Sequence, residues 1–237
     1  MCGDEPNQCG IILGTSTAGS GCMNGRGVDL SFALNGSTIP VDHGYAVYAA
    51  ISKVVPTIHG DNQIGIHPIY GRLAGNRKLA ISKSSRLVVR LPSDRLMDVL
   101  PLAGKTLDVG GGKVVLGVPT VQVLVPAASL SSRLVVIKGF MEPEPFREAV
   151  QRQLDVLAIQ GRASLVSTED AVKANADRDG GTKSPWVRRT LRIRDKEIVG
   201  FAVRVEGLTA EEAILLQERG VGGRRRFGCG IFVAVRG

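Results

Sequence analysis

The order of predicted strands and helices is the feature that most constrains the fold. Residues 1–27 form a tail rich in Gly, Ser, Thr and Asn without helical or strand periodicity. After this tail the order strand–helix–strand–strand–helix–strand occurs twice. That order is typical of a ferredoxin-like (RRM-like) domain. We therefore predict an α+β chain of two tandem ferredoxin-like domains, 28–125 and 130–237, with a cleft between them.

In the first half, apolar alternation predicts four strands and a hairpin, at 28–34, 64–69, 79–81, 86–91 and 107–116, the hairpin turning at Gly110–Gly112. A helix is expected over 43–55, because Asp42 can cap its start and Pro56 stops it. A second, short helix follows Ser93. The stretch Pro119–Pro126, bounded by prolines, is expected to separate the halves.

In the second half, strands are predicted at 133–138, 162–166, 187–194, 197–205 and 229–235. One helix begins at Pro143 and ends near 159, where Gly161 follows. Another begins after Thr209, because Thr209 and Glu212 have the spacing of a capping box. The polar segment 177–182 is predicted to be a loop.

Charge and composition indicate the class of partner. The 237 residues include 30 Lys and Arg against 22 Asp and Glu, a net charge of +8, which favours nucleic acid over a neutral ligand. A basic surface without a binding role remains the alternative. Aromatic residues make up only 4%, which argues against a long strand of bases stacked on aromatic rings. No apolar run reaches the ~18 residues of a membrane helix, and no signal peptide is visible, so a cytoplasmic location is expected.

The segment Gly220–Gly230 (GVGGRRRFGCG), here called the Gly-rich loop, is the most specific motif. Its five glycines allow positive φ and close approach to a ligand. Successive backbone N–H groups could form an anion nest, and Arg224, Arg225 and Arg226 could bind phosphates. The sequence is not a Walker loop, because it lacks G-K-[ST]. A Gly-rich turn with solvated arginines is the alternative. The four cysteines contain no C-x-x-C pair, so no zinc site is predicted.

The Gly-rich loop, together with the segments IPVDHGYAVYAAISKVVPTIHG (39–60), SRLVVRLP (85–92) and SRLVVIKGFMEPEPF (132–146), resembles the CRISPR repeat-processing endoribonucleases. This family is the sixth of the Cas proteins and belongs to the RAMP superfamily. Residues 28–237 resemble its myxan-type form. The resemblance implies two ferredoxin-like domains and metal-independent cleavage of precursor CRISPR RNA within the repeat, without a cofactor. It also implies a repeat RNA hairpin and other Cas subunits as partners. A repeat-binding subunit that does not cleave is the alternative.

Such cleavage needs a base that takes the proton of a ribose 2′-OH, and histidine suits this role. The chain has three histidines. The resemblance favours His59, just after the first helix, as the catalytic base. His67 is the second candidate, and His43 the third. The family's second catalytic position, within the first helix, falls on Ser52, where some relatives have a tyrosine.

A second group of basic residues lies on the strand predicted at 187–194. Arg188, Arg192 and Arg194 share one face of an alternating strand, with Arg189 on the other. Together with the Gly-rich loop, namely Gly220, Gly222, Gly223, Arg224, Arg225, Arg226, Gly228 and Gly230, these three arginines are the predicted RNA-binding residues. A solvated sheet face is the alternative. Trp186 and Phe227 are candidates for stacking on a base, with core packing the more usual role.

Overall fold

The computed structural model describes residues 25–173, 185–193 and 196–235, without the side chains of 171–173. The tail 1–24, the loop predicted at 177–182, and Arg194 lie outside the described residues. No helix in the described ranges has the length and apolar character needed to cross a membrane.

The first half is a five-stranded antiparallel sheet with helices and a small second sheet. Its strands and helices, in chain order, are β1 (Gly27–Gly36), β2 (Thr38–Pro40), α1 (Gly44–Val54), β3 (Gly65–Ile66), β4 (Arg72–Leu73), β5 (Lys78–Ala80), β6 (Arg86–Pro92), α2 (Leu96–Val99), β7 (Thr106–Val109) and β8 (Gly112–Val123). The main sheet has the order β3-β6-β1-β8-β7, and β2-β5-β4 form the small sheet.

The second half is another antiparallel sheet. Its elements are β9 (Ser129–Val135), α3 (Pro143–Val156), β10 (Arg162–Leu165), α4 (Thr168–Lys173), β11 (Arg188–Ile193), β12 (Lys196–Glu206), α5 (Ala210–Arg219) and β13 (Val233–Ala234). The sheet has the order β10-β12-β9-β13, and β11 pairs with the start of β12, whose end pairs with β10.

The two halves share a strand order. Four strands of each half correspond, namely β1, β3, β6 and β8 in the first half and β9, β10, β12 and β13 in the second. When these four are numbered in chain order, both sheets place the strands in the order second, third, first, fourth. In each half a helix follows the first strand and another precedes the fourth. With β2, β4, β5, β7, β11 and α4 set aside, the two halves share one order of elements within a mixed α/β, antiparallel structure.

Local signals predicted some helix and strand ends and missed others. The capping box is confirmed: Glu212 N–H donates to Thr209 Oγ1 at 3.2 Å, and Thr209 N–H donates to Glu212 Oε2 at 2.8 Å. Asp42 does not cap α1. His43 occupies that position without a side-chain cap, and Asp42 Oδ2 instead accepts the backbone N–H of Arg192 at 2.7 Å.

Several strand boundaries differ from the sequence-based prediction, and the strand expected at 133–138 is Ser129–Val135. The strand expected at 64–69 is reduced to Gly65–Ile66, since Pro68 cannot donate to a ladder. Pro119 lies inside β8 opposite Phe32, next to an irregularity in the register, so Pro119–Pro126 does not simply separate the halves. The last strand is only Val233–Ala234, because Gly228 and Gly230 have positive φ.

Two apolar cores meet along the junction of the halves. One lies mainly in the first half and the other in the second. Side chains of the second half nevertheless pack into the first core, namely Leu134, Val136, Leu191, Phe227 and Cys229. Burial raises the pKa of the free Cys229 thiol to about 12, so this group packs as a neutral side chain. The Gly-rich loop is thereby joined to the first half.

Candidate active site and nucleic-acid interface

His59 is exposed on a turn that is fixed on both sides. The turn begins with the 3₁₀ segment Pro56–Ile58, and Ile58 is buried in the first core. Gly60 follows with φ +80°, a conformation that favours glycine. Asp61 then forms an ion pair with Arg95 of the segment before α2. The main chain around His59 is therefore held, while its side chain faces solvent.

Tyr48 of α1 is the hydrogen-bond partner of His59. Tyr48 Oη lies 3.1 Å from Nδ1 of His59, and Gly60 N–H donates to the same oxygen at 3.3 Å. The two rings are stacked at 28° with centroids 6.1 Å apart. Tyr48 is buried, so it fixes the plane of an otherwise exposed imidazole. No described residue hydrogen-bonds Nε2, which faces away from this contact.

Arg226 of the Gly-rich loop brings a positive charge to the same place. Its guanidinium carbon lies 5.4 Å from the Tyr48 ring centroid and 5.6 Å from that of Phe227. Phe227 in turn packs edge-on against Tyr48, with centroids 5.1 Å apart. Arg226 Nη1 is buried and bonds to no described atom. The second half thus supplies a cation that rests on Tyr48, the hydrogen-bond partner of His59 in the first half.

The glycines of the Gly-rich loop pack closely instead of presenting free N–H groups. A Cβ on Gly220 would lie 2.3 Å from the carbonyl oxygen of Gly230, and one on Gly230 would lie 2.3 Å from that of Val221. The N–H groups of all five predicted glycines donate to groups inside the protein. Gly220 donates to Leu216 O, Gly222 to Gln153 Oε1, Gly223 to Val136 O, Gly228 to Arg225 O and Gly230 to Leu134 O. In this conformation these groups are not available to an anion, contrary to the predicted nest.

The three consecutive arginines point to different surroundings. Arg224 is exposed and has φ +69°. Arg225 turns inward, where Nη2 donates to Gln217 O at 3.3 Å and Nη1 donates to Glu218 O at the end of α5. Burial, with the nearby cation of Arg90, lowers the pKa of Arg225 to about 10, which leaves it charged at neutral pH. Arg225 therefore fastens the loop, and Arg224 and Arg226 are the arginines it presents.

His67 lies in a different, enclosed environment. Its Nε2 is 3.4 Å from Asp29 Oδ1, and its side chain is only 11% exposed. Burial lowers the pKa of His67, and the cations of Arg90 and Arg225 act in the same direction, against the raising effect of Asp29. The imidazole is thus neutral at pH 7 but poorly accessible to a large substrate.

His43 is committed to the backbone. Its Nε2 accepts the N–H of Ile69 at 2.9 Å, which requires the proton on Nδ1, and Nδ1 donates to Pro40 O at 3.0 Å. Burial lowers the pKa of His43 to about 4. With both ring nitrogens used, His43 joins α1 to two neighbouring segments as a neutral side chain.

A cleft of about 480 Å³ lies between the halves, and its lining is rich in cations. Its charged lining residues are Arg77, Lys78, Arg133, Arg188, Arg189 and Asp42. On β11 the predicted alternation is present: Arg188 and Arg192 are exposed, whereas Arg189 is buried. His59 is not among the lining residues. Phe227 both lines the cleft and packs on Tyr48, so the cleft and the His59 site adjoin.

Sequence reasoning missed Tyr48 and chose Ser52, one turn later in α1. Ser52 Oγ is buried and bonds to no described atom. The available signal was a tyrosine on the helix that directly precedes the histidine, with a proline turn folding the chain back. Phe227 and Trp186 pack against the two cores, as the alternative to base stacking stated.

The described residues include no group of three or more His, Cys, Asp or Glu side chains that could hold a metal ion. Comparison with protein families gives a match to the model described as Cas6 Crispr over residues 28–237. The chain belongs to the Cas6 family. The match leaves out the tail and includes both halves, the His59 site and the Gly-rich loop.

Individual Cas6 proteins agree with this assignment. The chain is 32% identical over 206 residues to the CRISPR-associated endonuclease Cas6 of Myxococcus xanthus strain DK1622, covering 87% of this chain and 80% of that protein. A solved structure titled CRISPR associated protein Cas6 has a TM-score of 0.60 at 11% identity, covering 89% of this chain and all of the other. A Cas6-related protein from Pyrococcus furiosus also has 0.60, at 14% identity and 88% and 98% coverage. At these identities the structures show the fold alone.

Proposed function

We propose that this chain is a metal-independent endoribonuclease that cleaves precursor CRISPR RNA within the repeat. Membership of the Cas6 family and the relative named as an endonuclease support CRISPR RNA processing. The observation that carries the proposal is the exposed His59, oriented by Tyr48, whose ring also contacts the guanidinium of Arg226. A base and a cation are what 2′-OH attack on a phosphate requires.

In the proposed step, Nδ1–H of His59 donates to Tyr48 Oη, which leaves the lone pair of Nε2 to accept the 2′-OH proton. The 2′ oxygen attacks the adjacent phosphorus and the bond from phosphorus to the 5′ oxygen breaks. Water protonates the leaving oxygen, which gives a 2′,3′-cyclic phosphate and a 5′-OH. Arg226 stabilises the negative charge that builds up on the phosphate oxygens.

For RNA binding we propose the exposed arginines Arg224, Arg188 and Arg192, with Arg194 on the same face. They fit a repeat hairpin, because A-form RNA is recognised largely through its backbone and shape. A neighbouring fold with a TM-score of 0.57 is titled a RAMP protein binding different RNA substrates, at 12% identity. The cleaved hairpin stays bound, and other Cas subunits assemble on this complex.

The fold proposal follows from strand order. Residues 28–125 and 130–237 are two tandem ferredoxin-like domains, each with the sheet order second, third, first, fourth. Strands β2, β4, β5 and β7 are added to the first domain, and β11 is added to the second. The cleft and the Gly-rich loop both lie at the contact of these domains. The proposed RNA-binding arginines all lie in the second domain, whereas the proposed base, His59, lies in the first.

The deciding experiment uses a repeat RNA transcribed from the CRISPR array of the same genome. In excess EDTA the protein should still cleave this RNA at one position. A single 2′-deoxy substitution at the scissile nucleotide should stop cleavage. The cyclic phosphate is identified by its resistance to phosphatase until acid opens the ring. A requirement for added metal would contradict the mechanism, and binding without cleavage would favour the repeat-binding subunit.

His59→Ala tests the base. The single-turnover rate constant should fall by roughly 10²–10⁴-fold, with the RNA dissociation constant nearly unchanged. His67→Ala is the matched variant, and it should cleave much faster than His59→Ala. If His59→Ala retains full activity, His67 is the base.

A further inference from the structure

Arg90 has no place in the chemistry above, yet it is among the most completely buried large side chains of the described chain, at 2% exposure. It lies on β6, directly opposite Asp29 of β1 in the antiparallel ladder. Its Nε and Nη2 donate to the two carboxylate oxygens of Asp29, at 2.7 and 2.8 Å. This bidentate pair fixes the plane of the guanidinium.

The remaining donor of Arg90 contacts the second half. Nη1 donates to Phe232 O at 2.7 Å and to Gln217 O at 3.1 Å. Gln217 comes just before the Gly-rich loop and Phe232 just after it. A single guanidinium of the first half thus binds the backbone at both ends of the Gly-rich loop, which belongs to the second half.

The loop is tied to the same point from within. Arg225 Nη2 also donates to Gln217 O, at 3.3 Å, and Gly220 and Gly230 approach so closely that neither position has room for a Cβ. Arg226 is the next residue, and its guanidinium rests on Tyr48. A continuous set of contacts therefore runs from Asp29 through Arg90 and Arg225 to the arginine that rests on Tyr48.

We propose that Arg90 is a positioning residue that holds the Gly-rich loop so that Arg226 lies against Tyr48, the hydrogen-bond partner of His59. This inference rests on the proposed function. Lysine at this position keeps the charge beside Asp29, but a single ammonium cannot make the bidentate pair and reach both carbonyl groups. The loop then loses its common anchor, and Arg226 its fixed position.

The test compares Arg90→Lys with Arg86→Lys, the same substitution at an exposed position of the same strand. With the repeat RNA as probe, Arg90→Lys should lower the single-turnover rate constant about 10–100-fold and leave the RNA dissociation constant within about 3-fold, whereas Arg86→Lys changes neither. The thermal midpoint of each variant is measured alongside. If Arg90→Lys does not fold, Asp29→Asn, which keeps Arg90 but weakens its anchor, is used with the same expectation.

A double-mutant cycle with Arg226→Ala separates positioning from general loosening of the fold. If Arg90 acts through Arg226, then adding Arg90→Lys to the Arg226→Ala variant should lower the single-turnover rate constant little further. Rate losses that multiply, or an Arg90→Lys rate equal to wild type, would overturn the inference. Wild-type protein that fails to cleave would overturn the proposed function and this inference with it, whereas an active wild type with an unaffected Arg90→Lys overturns this inference alone.

Discussion

The phenolic oxygen of Tyr48 lies 3.1 Å from Nδ1 of His59, and the two residues belong to different segments joined by a proline turn. A hydrogen bond at Nδ1 determines which ring nitrogen is left to act as a base. The buried Tyr48 therefore holds the otherwise solvated side chain of His59 in one orientation. This relationship separates His59 from His43 and His67, whose ring nitrogens face backbone groups and a carboxylate.

Tyr48→Phe should reduce the single-turnover cleavage rate by roughly 10–100-fold while the affinity for RNA is kept. The phenyl ring still packs on Phe227 and under Arg226, so stability should fall by only about 1 kcal/mol for the lost hydrogen bond. Tyr45→Phe, one turn earlier in α1, is the control and should cleave at the wild-type rate. A normal rate for Tyr48→Phe would refute the orienting role.

Arg188→Ala, Arg192→Ala and Arg224→Ala should each weaken RNA binding and lower the salt dependence of affinity. For every phosphate contact removed, the slope of log K against log salt should decrease by about 0.7–0.9. Fluorescence anisotropy over a salt series measures this slope. Arg147→Ala removes the same charge from an exposed position on α3 and should leave the slope unchanged. Equal slopes for all four variants would mean that β11 and the Gly-rich loop do not contact phosphates.

Gly220→Ala should destabilise the protein by about 2 kcal/mol or more, which lowers the melting temperature by ~4–8 °C in a chain of this size. Gly220 has φ +64°, and a Cβ there would lie 2.3 Å from a carbonyl oxygen. Gly223→Ala is the matched control, because a Cβ at Gly223 has nothing within 4 Å. Equal melting temperatures for the two variants, measured by calorimetry, would contradict the close packing of the loop ends.

Stability should decrease as the pH falls from 6.5 toward 4. Burial lowers the pKa of His43 from 6.5 to about 4, so the unfolded chain binds a proton in this interval that the folded protein does not. The stabilisation is complete above pH 6.5, and up to about 3 kcal/mol is lost by pH 4. Burial lowers the pKa of His67 as well, which adds to the loss.

Urea unfolding at several pH values between 4 and 7 measures this dependence. His43→Gln removes one titrating group, so its free energy of unfolding should vary less steeply with pH than that of wild type. A wild-type curve that is flat over this interval would show that His43 is not held neutral by the fold.

What the sequence could predict depended on whether the physical cause was local. The capping box of α5 and the alternation of Arg188, Arg189 and Arg192 on β11 are set by neighbours along the chain, and both are present. The Asp42 cap failed because Asp42 has a distant partner, the backbone of Arg192. The sequence predicts that Pro119 begins the segment that separates the two halves. Instead, an irregularity in the pairing with β1 accommodates Pro119 inside β8.

The same distinction holds for the site. His59 could be chosen from its place after the first helix and from the family resemblance. The contacts of Tyr48 with His59 and with Arg226 arise only from tertiary packing. In RLVVRL (86–91), Arg86 and Arg90 look alike as sequence, but one is exposed and the other is enclosed by the second half. The division of the arginine triplet into one inward and two presented side chains likewise depends on carbonyl groups of α5.

The guanidinium of Arg90 has a consequence for anyone recombining Cas6 proteins. Because it is buried against Gln217 O and Phe232 O, a first half produced alone would expose an ion pair and the apolar side chains that Leu134, Val136 and Phe227 cover. Chimeras that exchange the halves between relatives must therefore carry matching residues at this junction. We therefore expect the two halves to be exchangeable only as a pair.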